Sequence, residues 1–106
     1  MRIEEIVRQN KAAGGKFFAP NTMKLFGSRL SSKVHEGPGG IFFVTSEKSF
    51  NGQYRTYDVR QFLSDTKRVV TVSPSGGFMK PKKAHEIAEW FARVGGAREY
   101  QSPYLG

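Results

Sequence analysis

The feature that most constrains the fold is an uncharged run of six residues, Ile41-Phe42-Phe43-Val44-Thr45-Ser46. A strand with one solvated face alternates apolar and polar residues, because successive side chains point to opposite sides of the backbone. Here consecutive large apolar side chains fall on both sides. The run therefore predicts a central strand that is covered on both faces.

Three further strands are expected around this run. Alternation predicts a strand over residues 29–35 with a basic outer face. The side chains expected on that outer face are Arg29, Ser31, Lys33 and His35. Residues 54–62 and 68–73 are rich in β-branched and aromatic residues, which favour strands. Glycine and polar residues predict a loop over residues 36–40 and turns at Asn51-Gly52 and residues 64–67.

Two helices are expected, one near each end of the chain. Apolar residues recur at helical spacing over residues 3–13, and Gly14-Gly15 ends that pattern. Pro81 suits the first turn of a second helix over residues 81–94. The apolar stripe expected to face the core consists of Ala84, Ile87, Ala88, Phe91 and Val94.

These elements predict a single α+β domain. Residues 1–15 form a short N-terminal helix. Residues 16–96 form the core, in which an antiparallel meander of three or four strands packs on the C-terminal helix. Residues 97–106 form a loosely held tail.

Composition narrows the classes of function. The 106 residues carry a net charge of +8, which favours an anionic partner such as nucleic acid or an acidic protein surface. The absence of cysteine excludes disulfides, thiolate nucleophiles and cysteine-based zinc sites. Neither a transmembrane run nor a signal peptide is recognisable, so a cytoplasmic protein without membrane contact is expected.

Several short motifs carry a resemblance to known proteins. They are Phe17-Phe18, Pro20, Thr22-Met23, Phe26-Gly27-Ser28-Arg29, Phe43-Val44-Thr45-Ser46-Glu47 and KKAHEIAEWFARV. With these motifs, residues 16–94 resemble small uncharacterised accessory proteins of tailed bacteriophages, of the type FFxPxTMxxFGSR. That group has no assigned activity, so the resemblance implies a phage setting and supplies no site residue. Such proteins often serve as host-takeover factors, including inhibitors of host defence such as anti-CRISPR proteins.

Two interpretations apply to Gly27-Ser28-Arg29. A glycine turn with a hydroxyl and a guanidinium can bind phosphate. However, the complete phosphate-loop pattern is absent, and a helix end that leads into a strand is the favoured interpretation.

A binding surface for nucleic acid is predicted from cations interleaved with aromatic residues, since phosphates meet charge and bases stack on rings. Its candidate residues are Arg29, Lys33, His35, Arg55, Arg60, Lys82 and Lys83. The alternative for the strand residues is an ordinary charged sheet face with the aromatic residues in the core. For Lys82 and Lys83 the alternative is that both are simply solvated, and Glu86 can pair with either of them.

Tyr54 and Trp90 are the candidate protein contacts, because exposed aromatic residues dominate protein interfaces. The alternative for Trp90 is packing under the N-terminal helix or the tail.

Catalysis and metal binding have little support in the sequence. His85 and Glu89 are four residues apart on one helix, but His35 is the only other histidine and a metal site needs three or more ligands. No nucleophile elbow occurs. We therefore expect no cofactor, no metal and no enzymatic activity.

The sequence thus predicts a non-enzymatic phage accessory protein that binds nucleic acid, or a host nucleoprotein complex, through a basic surface in the host cytoplasm. The alternative is an inhibitor of a host defence protein that acts by steric block.

Overall fold

The structure, a computed structural model, describes residues 1–15, 33–48, 53–73 and 78–100. In chain order it has α1 (Ile3–Ala12), β1 (Val34–Gly37), β2 (Gly40–Lys48), β3 (Arg55–Leu63), β4 (Arg68–Thr71) and α2 (Pro81–Val94). The strands form one antiparallel sheet in the order β1-β2-β3-β4. The predicted α+β fold, with a meander and a helix near each end, is confirmed.

The central strand is β2, and it is covered on both faces as predicted. Phe42, Phe43 and Val44 are all essentially inaccessible to solvent. Phe42 and Val44 pack with Val59 of β3 against α2. Phe43 packs on the other face, with Ile3 and Ile6 of α1. The two helices therefore lie on opposite faces of the sheet.

The helix α2 approaches the sheet through a row of alanines. Ala84, Ala88 and Ala92 are buried at intervals of four residues, and Ile87 and Phe91 flank them. The prediction that the buried stripe includes Val94 is wrong, because this residue is 55% exposed in the last turn of α2. Small side chains along the contact row let the helix lie close to the sheet.

The expected loop over residues 36–40 is wrong. Glu36 and Gly37 belong to β1, and Gly37 pairs with Gly40, so the connection is a two-residue turn at Pro38-Gly39. This turn docks on α2: the Gly39 N–H donates to the Ala92 carbonyl at 2.7 Å. A Cβ at residue 39 would lie 2.0 Å from the Phe91 carbonyl oxygen, so only glycine fits.

Arg60 lies on the face that carries α1 and is only 7% exposed. Its Nε donates to Thr45 Oγ1 at 2.9 Å, its Nη1 donates to Thr71 Oγ1, and its Nη2 is 3.5 Å from Asp58 Oδ2. The expectation that Arg60 contributes to a basic surface is therefore wrong, because its charge is turned inward against buried partners. A buried guanidinium needs such partners, since desolvation is otherwise costly.

The first residues of the predicted tail contact the sheet. The Tyr100 N–H donates to the Thr71 carbonyl at 2.7 Å, and Ala97 packs against the core. The predicted corner at Gly27-Ser28-Arg29 and the turn at Asn51-Gly52 lie outside the described residues. Within the described ranges, neither helix is long and apolar enough to cross a bilayer.

Candidate functional site

Within the described ranges, the predicted site residues other than the buried Arg60 form two groups at different positions along α2. Tyr54, Arg55, Lys82 and Lys83 lie near the helix N-terminus. Lys33 and His35 lie toward its C-terminal half, beside a pocket that also involves Glu89 and Arg93.

A short backbone bridge holds the chain just before the N-terminal end of α2 against β3. Tyr57 and Phe78 exchange two hydrogen bonds, with N···O distances of 2.8 and 3.2 Å. Because this bridge is antiparallel, the residues that follow Phe78 run beside those that precede Tyr57. The start of α2 therefore lies at the same end of the sheet as the start of β3.

We call Tyr54, Arg55, Lys80, Lys82 and Lys83 the lysine surface. Its three lysines are exposed, and the first turn of α2 contains no acidic residue. Among the described residues, none of the three lysines forms an ion pair, so the alternative in which Glu86 pairs with Lys82 or Lys83 is absent. The N-cap residue Lys80 makes no side-chain capping bond. The positive end of the helix dipole is thus surrounded by further positive charge, an arrangement that favours an anion.

Tyr54, which directly precedes β3, and Arg55, the first residue of β3, complete this surface. Tyr54 is 50% exposed at the edge of the strand. Arg55 is half-buried, and its Nη1 donates to Ser46 Oγ of β2 at 3.4 Å, which restrains the guanidinium at this end of the sheet. An accessible phenol ring beside several cations provides both features that single-stranded nucleic acid requires.

Trp90 is exposed on the outer side of α2, with 49% of its surface accessible. Its ring centroid is 5.6 Å from that of Phe91. Packing under α1 is excluded, because α1 lies on the opposite face of the sheet. Met79 and Val94 are also exposed on this helix or just before it.

His35 is buried toward α2, so the expectation of an exposed position is wrong. Its cross-strand partner is Phe42, which faces the helix. The face of β1 that was expected to be solvated is thus covered by α2. On the other face of β1, Val34 packs with the cluster that contains Ile6 and Phe43. Lys33, which was also predicted on this face and directly precedes β1, is exposed.

The two histidines of the chain meet across the β1–α2 interface. His35 Nε2 lies 3.0 Å from His85 Nδ1, and the ring planes are inclined by 55°. We call these residues the histidine pair. Burial lowers the pKa of both imidazoles, and Lys33 lowers both further. His35 also lowers the pKa of His85, whereas Glu89 acts in the opposite direction on the pKa of His35. The pair is therefore neutral at pH 7, with one ring donating to the other.

A pocket of about 350 Å³ opens beside His35, between β1 and the C-terminal half of α2. Its charged lining residues are Lys33, Glu36, Glu89 and Arg93. The Met1 ammonium lies 2.6 Å from Glu36 Oε1. This mixture of signs contrasts with the lysine surface, where no carboxylate pairs with the three lysines within the described part of the chain.

Sequence reasoning missed the histidine pair. His85 and Glu89 attract attention through their helical spacing, but His35 is 50 residues away from His85 in the chain. The usable signal is alternation: counting back through a two-residue turn places His35 opposite Phe42, and therefore on the side of the sheet that α2 covers.

Searches of curated proteins and of solved structures found no match. A match to a protein family, DUF7447, described as a family of unknown function, extends over residues 2–89 of the 106. It includes α1, the four strands and α2 as far as Glu89, and hence both the lysine surface and the histidine pair. The chain therefore belongs to the DUF7447 family.

Proposed function

We propose that this protein is a phage accessory protein that acts by binding, not by catalysis, and that the lysine surface binds nucleic acid or a nucleoprotein complex in the host cytoplasm. One observation carries the proposal. Lys80, Lys82 and Lys83 are exposed together at an uncapped helix N-terminus, with no ion pair among the described residues.

The charge arrangement favours an extended anion. Lysines that are already paired would have to break those pairs to bind phosphate, whereas binding by these lysines requires only the release of counterions from the nucleic acid. Arg55 adds a restrained guanidinium, which can contact a phosphate in two places. The net charge of +8 assists association from a distance.

The aromatic side chain favours a single strand. Tyr54 offers half its surface to solvent next to the cations, and a base can stack on such a ring only when it is not already stacked in a duplex. The described residues of the lysine surface present no pattern for reading base edges, so we expect little sequence preference.

The test is the salt dependence of binding to a fluorescent single-stranded oligonucleotide, measured by anisotropy. Replacing Lys82 and Lys83 with glutamine should weaken binding at low salt. It should also reduce the slope of log K against log salt by about 1.4, or about 0.7 for each lost phosphate contact.

Lys67→Gln with Arg68→Gln is the matched control. It removes the same charge from exposed residues at the β3–β4 turn, at the opposite end of the sheet. Binding should change much less in this variant. Equal weakening in both variants, or no binding by the native protein at 50 mM salt (roughly the low-salt condition where phosphate contacts are strongest), would show that the lysine surface is not the site.

The second candidate is steric inhibition of a host defence protein, and exposed Trp90 favours it. Aromatic protein interfaces respond weakly to salt, unlike phosphate contacts. In a pull-down from nuclease-treated lysate, a partner lost with Trp90→Ala but kept with the double lysine variant supports this candidate. The reverse pattern supports the lysine surface.

A further inference from the structure

The two edges of the sheet differ in how their outward backbone groups are used. In an antiparallel edge strand, every second residue directs its N–H and C=O groups away from the neighbouring strand. In β4 these residues are Val69 and Thr71. The Val69 N–H donates to Asn10 Oδ1 at 3.1 Å. The Thr71 carbonyl accepts from the Tyr100 N–H at 2.7 Å. The β4 edge is therefore engaged by other parts of the chain.

The β1 edge has no such contacts in the described part of the chain. Gly37 and Gly40 form the hydrogen-bonded pair next to the two-residue turn, and such pairs recur at every second residue. Val34 and Glu36 lie between these pairs, so their backbone N–H and C=O groups point away from β2. Within the described ranges, nothing bonds to these outward groups. The strand β1 therefore presents an edge to which another strand can add.

The pocket beside His35 lies along the same edge. It is lined by residues of β1 and of the turn after it, and by Glu89, Ala92 and Arg93 of α2. An open edge strand beside a helix suits an extended peptide, which gains backbone hydrogen bonds from the strand and specificity from pockets for its alternate side chains. We propose that β1 binds an extended acidic peptide of a partner protein as an additional strand, with alternate peptide side chains directed into this pocket. This surface is separate from the lysine surface and does not depend on it.

The phase of the hydrogen bonds determines which peptide side chains enter the pocket. Peptide residues bonded to Val34 and Glu36 lie directly opposite them and share their face of the sheet, the face that carries α1. The residues between them share the face of His35, which α2 covers. Their side chains therefore enter the pocket, and their own N–H groups point away from β1.

The charges around the pocket favour a peptide side chain that is acidic. The carboxylate of Glu36 is engaged by the Met1 ammonium, and the histidine pair is neutral at pH 7. The charged lining residues that remain are Lys33, Arg93 and Glu89, two cations against one carboxylate. The net charge of +8 attracts an acidic partner and disfavours the addition of a second copy of this chain at β1.

The experiment uses the full chain and a short blocked peptide in which valine and glutamate alternate, and follows binding by NMR. At about 1 mM peptide, a concentration that detects weak binding, the amide signals of β1 should shift. Exchange of the Val34 and Glu36 amide protons with solvent should slow, because both become hydrogen-bonded. The Val69 amide, which Asn10 already engages, is the internal control and should not change.

Methylation of the peptide nitrogens tests the geometry without any change to the protein. Methyl groups on the valine nitrogens remove the donors that face β1, whereas methyl groups on the glutamate nitrogens remove donors that face away. With the glutamates in the pocket, valine methylation should weaken binding by at least about tenfold, and glutamate methylation by much less.

Two pairs of protein variants test the other side of the contact. Glu36→Pro removes the outward N–H, which the sheet does not use, and proline is tolerated at such edge positions. It should weaken binding by about tenfold, whereas the matched control Glu36→Gln keeps the N–H and should bind as the native protein does. Arg93→Gln should weaken binding by about threefold. Arg98→Gln removes the same charge from another exposed residue and should leave binding unchanged.

Three kinds of result would overturn the proposal. Absence of binding at about 1 mM peptide would show that β1 is not a docking edge. Equal weakening by valine and glutamate methylation, or unchanged exchange at Val34 and Glu36, would show that the peptide binds through its charge alone. If both amides are already protected without peptide and lose that protection on dilution, a second copy of this chain occupies the edge instead.

Discussion

The N-terminal end of α2 and the face of α2 that contacts β1 differ in how their polar groups are satisfied. At the N-terminal end, Lys80 makes no capping bond and three lysines stand without ion pairs among the described residues. Along the face that contacts β1, His85 bonds to His35 and the Ala92 carbonyl accepts from the Gly39 N–H. The unpaired lysines lower the stability of the fold and leave charge available for a partner, whereas the contacts with β1 hold the helix on the sheet.

The largest effect on stability is expected from a substitution of Gly39, which lies in the turn that docks on α2. In Gly39→Ala, the new methyl group overlaps the Phe91 carbonyl and forces the turn away from α2. We expect the free energy of unfolding to fall by about 3 kcal/mol, measured by urea denaturation. A loss below about 0.5 kcal/mol would mean that the turn does not anchor the helix.

The next effect is at the histidine pair. His85→Leu leaves His35 Nε2 without its partner in a mostly buried position. We expect a loss of about 1–2 kcal/mol at pH 8. Glu89→Gln, measured under the same conditions, should change stability far less, because Glu89 is exposed.

Acid should weaken the same contact. The pKa values of both histidines are lowered from the ordinary 6.5, so the folded state favours the neutral rings. Stability from this source is complete above pH 6.5 and is lost as the pH falls through the depressed values of the folded state. Lys33 promotes the loss and Glu89 opposes it for His35.

The measurement is the denaturation midpoint between pH 8 and pH 5, a window that stays above the ordinary pKa of 4.5 for Glu5. The midpoint should fall with acid in the native protein and fall less in His85→Leu. An unchanged midpoint across this range would contradict a neutral histidine pair.

A smaller effect of opposite sign is expected at the lysine end. Lys80→Asp supplies a capping carboxylate and removes a cation from the positive end of the helix dipole. The free energy of unfolding should rise by about 1 kcal/mol, while affinity for single-stranded DNA should fall. A variant that gains stability and keeps its affinity would remove Lys80 from the lysine surface.

The smallest effect is expected from replacing Lys82 and Lys83 together by alanine. Both side chains are exposed and unpaired among the described residues, so stability should change by less than about 0.5 kcal/mol. Thermal unfolding provides the comparison. A large loss here would show that the lysines stabilise the helix and are not held available for a partner.

Local patterns predicted the elements well, because each depends on nearby residues. Pro81 and the apolar spacing that follows gave the bounds of α2, and the run from Ile41 identified the central strand. The prediction for the β1–β2 connection was wrong, because glycine and proline favour a loop but do not specify its length. Pairing of Gly37 with Gly40 made it a tight turn.

The site was less predictable, because it depends on which face of each element is covered. Arg60 and His35 sit in alternating strands and were expected on a solvated face, but both sheet faces carry a helix. Tyr54, Arg55, Lys82 and Lys83 do lie at one end of the sheet, as a consequence of the Phe78–Tyr57 bridge.

By itself, the sequence determined the order of helices and strands, the strand buried on both faces, the excess of positive charge and the absence of thiol chemistry. These properties follow from composition and from periodicity over a few residues. Tertiary structure alone decided that Arg60 turns inward to Asp58 and that His35 meets His85. The physical reason is that register and layer packing, acting between residues far apart in the chain, set which side chains are buried together.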